Sequence, residues 1–207
     1  STVRRFFRDL LLQEDESGWI EAHRALYHYF LRISKKKPRT SQEMESVTRA
    51  VHHACFAGQF RDAHRLYRDR VARRSDGYIT ENLGLVAWDL TILSRFFPGE
   101  EHNWWRHAVG VGLRRSHEIW LRSRVAYGLE LQGRLQDAQQ QRRTTIDYLE
   151  RKKQWRDLAD AKEKLALILA RTADLREART MAEEAVQHAD RARETAETGC
   201  TREWEGA

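Results

Sequence analysis

The sequence predicts an all-α protein built from antiparallel helix pairs stacked as a short right-handed solenoid. Three observations carry that prediction. A six-residue phrase (small, polar, apolar, polar, acidic, alanine) recurs as Gly58-Gln59-Phe60-Arg61-Asp62-Ala63 and as Gly133-Arg134-Leu135-Gln136-Asp137-Ala138. It returns in looser form as Ala173-Asp174-Leu175-Arg176-Glu177-Ala178, 40 residues after the second copy. Each copy lies between stretches of helical periodicity: a small residue ends one helix, the apolar residue plugs the corner, and alanine lets the next helix pack close. Only two prolines and eleven glycines occur in 207 residues, so long helices meet few breakers. Finally, the balance of 33% charged to 41% hydrophobic residues suits helices wetted on one face.

Taken in order, residues 2–13 read as a short helix with Phe6, Phe7, Leu10 and Leu11 on one face. Ser17 is the expected cap of a second helix to about Ser34, with Trp19, Ala22, Leu26, Tyr29, Phe30 and Ile33 inward. Pro38 interrupts the pattern, and Thr40-Ser-Gln-Glu43 forms a capping box for a helix to about Ala57. Its partner runs from Phe60 to Arg73 with Ala63, Leu66, Tyr67 and Val71 toward the core. Asn82 to Phe97 reads as one buried helix. The stretch 98–115 holds no helical period and is expected to be a long loop with one helical turn. Ser116 opens a helix to about Gln132; Leu135 to Lys153, Trp155 to Thr172 and Leu175 to about Glu197 follow. Trp204 hints at a docked tail.

The net charge of +6 makes polyanions a partner class to consider. Most cations are dispersed among acids, however, and the one compact cluster is Lys35-Lys36-Lys37 beside Arg39. A basic nucleic-acid-binding protein, using these lysines with Arg4, Arg5 and Arg8, is the alternative function. No run approaches the roughly 18 apolar residues of a membrane span, and the opening Ser1-Thr-Val-Arg-Arg-Phe-Phe-Arg8 lacks the apolar core of a signal peptide. Two cysteines, Cys55 and Cys200, imply no disulfide scaffold, and a cytoplasmic location is expected.

The phrases resemble tetratricopeptide repeats. With Ala63, Ala138 and Ala178 as the second-helix alanine, Ala126 and Ala166 take the small position of the first helix, and Leu129 and Leu169 its large apolar one. Ala63 followed by Tyr67 matches the Ala-x-x-x-Phe/Tyr element. The 40-residue spacing requires helices longer than the usual repeat, and Arg142 stands at a normally aromatic position. A further likeness spans most of the chain. Ala22-His-Arg-Ala-Leu-Tyr-His-Tyr-Phe30, Pro38-Arg-Thr40, Glu43-Met44 and Ala50-Val-His-His-Ala-Cys-Phe-Ala-Gly58 are similar to the helical region of bacterial STAND-type, NLR-like signalling NTPases. Asn82-Leu-Gly84, Leu93-Ser-Arg-Phe-Phe97 and Ile119-Trp120-Leu121 continue it. The resemblance implies residues 1–36 as a junction after a nucleotide-binding and winged-helix module, and 37–207 as the helical-repeat region. No Gly-rich phosphate loop stands in this chain, so the resemblance implies the sensor portion of a larger parent protein.

No catalytic, cofactor or metal site is expected. His52, His53 and Cys55 invite a metal, but adjacent helical residues point about 100° apart, and no second pair of matching spacing exists. There is no nucleophile elbow and no HExxH. The partner is instead expected to be a protein or peptide. By the tetratricopeptide register, the first helices line a groove with Glu45, Thr48 and His52, then Ser123, Tyr127 and Glu130, then Asp160, Glu163 and Arg171. Mixed charge with an aromatic suits a peptide better than a phosphate backbone. Trp104 and Trp105 are added as loop anchors for a partner.

Overall fold

A computed structural model of the chain describes residue 10 and residues 13–73, 77–98 and 103–204, with side chains described to residue 196. The opening helix expected over 2–13 falls outside these residues apart from Leu10 and Gln13, as does the Trp204 side chain. Among the described residues there is no strand, and nine α-helices pack in neighbouring pairs. The chain forms two compact units, residues 1–117 and 118–207.

The first unit begins with α1, Glu16–Ile33. Its cap is Asp15 rather than Ser17: Asp15 Oδ1 accepts the Gly18 N–H at 2.8 Å and the Ser17 hydroxyl at 2.9 Å. A Cβ at position 18 would lie 2.1 Å from the same carboxylate, so glycine is what lets the cap close. The inward face also differs from the expected one. Leu26, Tyr29 and Ile33 are 41%, 49% and 48% exposed, whereas His23 and Tyr27 are buried. The α1 apolar residues cover more than one face, and the neighbour decides which is used. α2, Ser41–Phe56, presents His53 and Phe56 to His23 and Trp19. α2 opens on the expected capping box: Thr40 Oγ1 accepts the Glu43 N–H at 3.2 Å. The Glu43 carboxylate returns to the Arg39 N–H at 2.7 Å, one residue earlier than the usual reciprocal bond, and also holds Lys35 at 2.7 Å.

α3, Phe60–Leu66, continues into a π-helical turn over Tyr67–Val71, closed by the Ala72 N–H on the Tyr67 carbonyl at 2.9 Å. Tyr67 opens that turn fully buried, and its hydroxyl donates to the buried Asp89 carboxylate at 2.8 Å. The helix expected over 82–97 is shorter, α5, Val86–Ser94, and α4, Tyr78–Glu81, lies before its expected start. Gly84 stands between them at φ +66°, a left-handed conformation no α-helix contains.

The second unit holds α6 (Arg115–Leu131, whose first turn lies at the division), α7 (Leu135–Arg151), α8 (Trp155–Arg171) and α9 (Leu175–Trp204). The first three are each 17 residues long. Their corners are copies of one another. The N–H of Arg134, Gln154 and Asp174 bonds back to the carbonyl of Leu129, Leu149 and Leu169, at 2.9, 3.0 and 3.0 Å. Gln59 on Ala54 does the same at 2.8 Å in the first unit. Each corner turns on a left-handed residue: Gly58, Gly133, Lys153 and Ala173. The sequence phrase therefore has a fourth copy, Lys153-Gln-Trp-Arg-Asp-Leu158, hidden because lysine and leucine replace its glycine and alanine.

Packing inside the second unit is built on the alternation those corners impose. Ile146, Leu149, Leu158, Leu165, Leu169 and Ala178 form one buried cluster with Trp155 and Met181 packed against it. Glu130 on α6 meets Arg171 on α8 at 3.1 Å, and Arg143 on α7 holds Glu177 on α9 at 2.5 and 2.9 Å. Lys162 lies buried among Glu150 (3.1 Å), Glu184 (2.6 Å) and His188 (3.2 Å). Burial pulls its pKa down, but the hydrogen bonds to Glu184 and Glu150 outweigh that and hold it above the ordinary lysine value.

Lys153 and Ala173 adopt a conformation that side chains resist and glycine does not. Lys153→Gly and Ala173→Gly are each expected to stabilise the protein by about 0.5–1 kcal/mol despite glycine's entropy cost, read as a rise in the midpoint of denaturant unfolding.

Candidate functional site

Two surfaces gather the residues marked in the sequence, one in each unit. In the second unit, four of the marked residues, Ser123, Tyr127, Glu130 and Asp160, surround one arginine. Arg142, on α7, is 2% exposed, and its Nη1 donates to Ser123 Oγ on α6 at 3.1 Å. Burial lowers its pKa, while the charges of Glu130 and Asp160 and the Tyr127 phenol act in the opposite direction. Ser123, Tyr127 and Glu130 are half-buried on α6; Asp160, Glu163 and Arg171 are exposed on α8. Glu130 and Arg171 tie the two helices together, Asp160 takes Lys164 at 2.6 Å, and the Arg124 guanidinium lies 5.5 Å from the Tyr127 ring. This is a polar face with one aromatic and alternating charge, floored by a buried cation. Mixed charge around an aromatic is the composition found at contact surfaces.

In the first unit, Thr48 and His52 line a cleft of 300 Å³ between α1, α2 and α5. α2 adds Arg49 and His53, α1 adds Phe30, and α5 adds Trp88 and Thr91, with Arg95 just beyond its end. Glu45 stands one turn before Arg49 and pairs with it at 2.5 Å, in solvent. Thr48 is buried and spends its hydroxyl on the Glu45 carbonyl at 3.0 Å. Phe30 stacks flat on His53 at 5.4 Å, with the Arg49 guanidinium 5.5 Å from the Phe30 ring.

The histidines lining the cleft, and His23 beside them, are held neutral. His23 Nδ1 and His53 Nδ1 are 2.8 Å apart, so one ring donates a proton that the other accepts. Burial takes His52 down to about 3, helped by Arg95 and the neighbouring histidines, and takes His23 down to about 4, helped by His53. His53 is lowered by burial and by Arg49. Cys55 is buried, and that burial pushes its thiol well above the ordinary range. Among the described residues, no group of three or more His, Cys, Asp or Glu is placed to hold a metal ion.

Of the tryptophan pair, Trp105 requires a correction. Trp105 is 1% exposed, a core residue rather than a partner anchor; Trp104 is half-buried. Trp104 packs on Phe97 at 5.3 Å and edge-on to Trp105 at 5.5 Å, within the single helical turn Trp104–Arg106. The loop then closes onto the unit. The Gly110 N–H donates to the Phe96 carbonyl at 2.8 Å, and a Cβ on Gly110 would fall about 2.2 Å from the Phe60 ring. Meanwhile Trp19, expected to face inward, is only half-buried, as are Trp88, Trp120 and Trp155.

Sequence reasoning marked Thr48 and His52 but missed Arg49, Trp88 and Arg95 on the same cleft. The signal for Arg49 was a cation adjacent to Thr48, and for Trp88 an aromatic on a helix taken as wholly buried; Arg95 gave none. Comparison of the chain with protein-family models, with curated proteins and with solved structures found no match. No helix among the described residues is long and apolar enough to cross a membrane.

Proposed function

We propose that this chain is a protein-interaction and ligand-sensing helical-repeat module of a STAND-type signalling NTPase, controlling activation of the parent protein. In this reading α6–α9 are tetratricopeptide-like pairs of a right-handed solenoid, and the α6 and α8 face is its partner surface. The observation that carries it is the Glu130–Arg171 contact, with its counterpart Arg143–Glu177. First helices touch first helices and second touch second, the order in which stacked helix pairs expose one layer to a partner. A ligand held on the module would act by binding one state of the parent more tightly than another, because a ligand shifts an equilibrium only by that difference.

The test is capture of partners from lysate by the full chain, with and without nuclease, read by mass spectrometry. A nuclease-resistant protein that Tyr127→Ala weakens by about tenfold or more, and Glu130→Lys likewise, is the expected result. Capture that vanishes with nuclease, or that falls steeply between about 50 and 200 mM salt, would overturn the reading in favour of nucleic acid.

A further inference from the structure

We propose that the cleft between α1, α2 and α5 binds a small planar anion: a flat aromatic or heteroaromatic ring carrying a carboxylate or phosphate. The inference rests on the sensing half of the proposed function and names its ligand class. Size comes first. At 300 Å³ the cleft sits at the lower end of small-molecule sites, with room for one or two fused rings and an acidic group but not for a folded peptide segment.

Charge decides the sign of the ligand. Arg49 and Arg95 stand on its walls, and among the described residues that line it there is no carboxylate. A cation would meet only like charge, and a neutral sugar would find few acceptors, since the Thr48 hydroxyl is spent on its own helix. Arg49 is available at low cost. Its pairing with Glu45 leaves the two side chains 56% and 51% exposed, and such a pair is worth little in water, so an incoming oxyanion can replace it. A guanidinium fork matches the two oxygens of a carboxylate or phosphate.

Flat walls decide the shape. Phe30 and His53 are stacked on one another with ring planes 5° apart, an aromatic ledge at one wall, and Trp88 belongs to the wall supplied by α5. The guanidinium of Arg49 beside the Phe30 ring brings the charge to the edge of that ledge. A ring lying on the ledge places its acidic group toward the guanidinium, so stacking and charge pairing are satisfied by a single molecule.

The experiment is isothermal titration calorimetry on the full chain at 150 mM salt. The probes are 2-naphthoate and adenosine monophosphate, set against their uncharged counterparts 2-naphthamide and adenosine. At least one charged probe is expected to bind with Kd on the order of 0.1–1 mM and about tenfold more tightly than its counterpart. Arg49→Gln and Arg95→Gln should each weaken it by about tenfold, and Glu45→Gln, which releases Arg49, should strengthen it by about threefold. Arg24→Gln, on α1 and exposed, should change nothing. If Arg95→Gln proves unfolded by circular dichroism, Arg49→Gln and Glu45→Gln decide alone, because both residues lie in solvent. Equal binding of charged and uncharged probes, no heat up to about 5 mM, or indifference to both Arg49→Gln and Glu45→Gln would overturn the proposal. Those failures leave the protein-contact reading intact, which stands or falls on Tyr127 and Glu130 in the other unit.

Discussion

Replacing Arg142 with methionine is expected to stabilise the protein by about 1–3 kcal/mol, a rise of several degrees in Tm. The guanidinium is 2% exposed, makes a 3.1 Å bond to Ser123, and keeps its Nε buried without a hydrogen-bond partner. A charge so placed has given up its hydration for incomplete compensation, since the carboxylates of Glu130 and Asp160 act on it without a described ion pair. Methionine fills a comparable channel without that cost. Arg142→Ala is the contrasting case: it removes the same charge but leaves a void, and should destabilise by about 2–4 kcal/mol. Thermal melts of the two variants separate the terms. A methionine variant that melts lower than the parent would mean that the guanidinium organises the α6 and α8 face rather than burdening it. In that case Arg142 belongs to the partner surface.

The second large effect is acid lability confined to the first unit. His23 and His64 are held near 4 and His52 near 3, in each case chiefly by burial; His53 and His117 are also lowered. An unfolded histidine titrates near 6.5, so between about pH 6.5 and pH 4 the unfolded chain binds more protons than the folded one. Stability is thus fully present above pH 6.5 and is lost as pH falls toward the folded values. Each unit of depression is worth about 1.4 kcal/mol before solvent screening. Several of these rings are partly wetted, so the summed loss by pH 4 is set at roughly 3 kcal/mol. The second unit has only His188 in this state among its described residues. Backbone amide spectra of the full chain, recorded from pH 7.5 to 4, should therefore lose the signals of residues 16–97 before those of 118–196. Simultaneous loss in both units would sink the attribution, as would a His52→Phe, His64→Phe variant with an unchanged pH profile.

How far the sequence could be read follows from what each residue type announces. Gly58 and Gly133 mark their corners because a left-handed turn favours glycine, so the helix boundaries around them are legible. Lys153 makes the same turn with nothing in its identity to say so, and its corner was seen only as the gap between two helices. Capping at Thr40 was legible because both partners sit within four residues. Capping at Asp15 was not separable from Ser17, because the two lie side by side and share one hydrogen-bond network. The face chosen by α1 depends on α2, and no period within α1 contains that information. The same holds for Trp105: a stretch without periodicity gives no burial signal, and a large aromatic there is read as a surface anchor until Phe96 and Phe97 are seen beneath the loop. For the candidate sites, register placed Ser123, Tyr127, Glu130 and Asp160 together around Arg142, because they sit at fixed offsets on equal helices. The cleft in the first unit was only half legible, because Trp88 and Arg95 reach it from an element more than thirty residues away from Thr48.

The identical corners carry a consequence for how such a chain changes length over generations. Because Arg134, Gln154 and Asp174 occupy the same place in three equivalent turns, excising residues 135–174 joins Arg134 directly to Leu175. The new junction is a turn of the form already present. Duplicating the same segment does the reverse. Recombination between such segments adds or removes whole helix pairs at joints that need no adaptation, so the array can be lengthened while its turn is inherited unchanged.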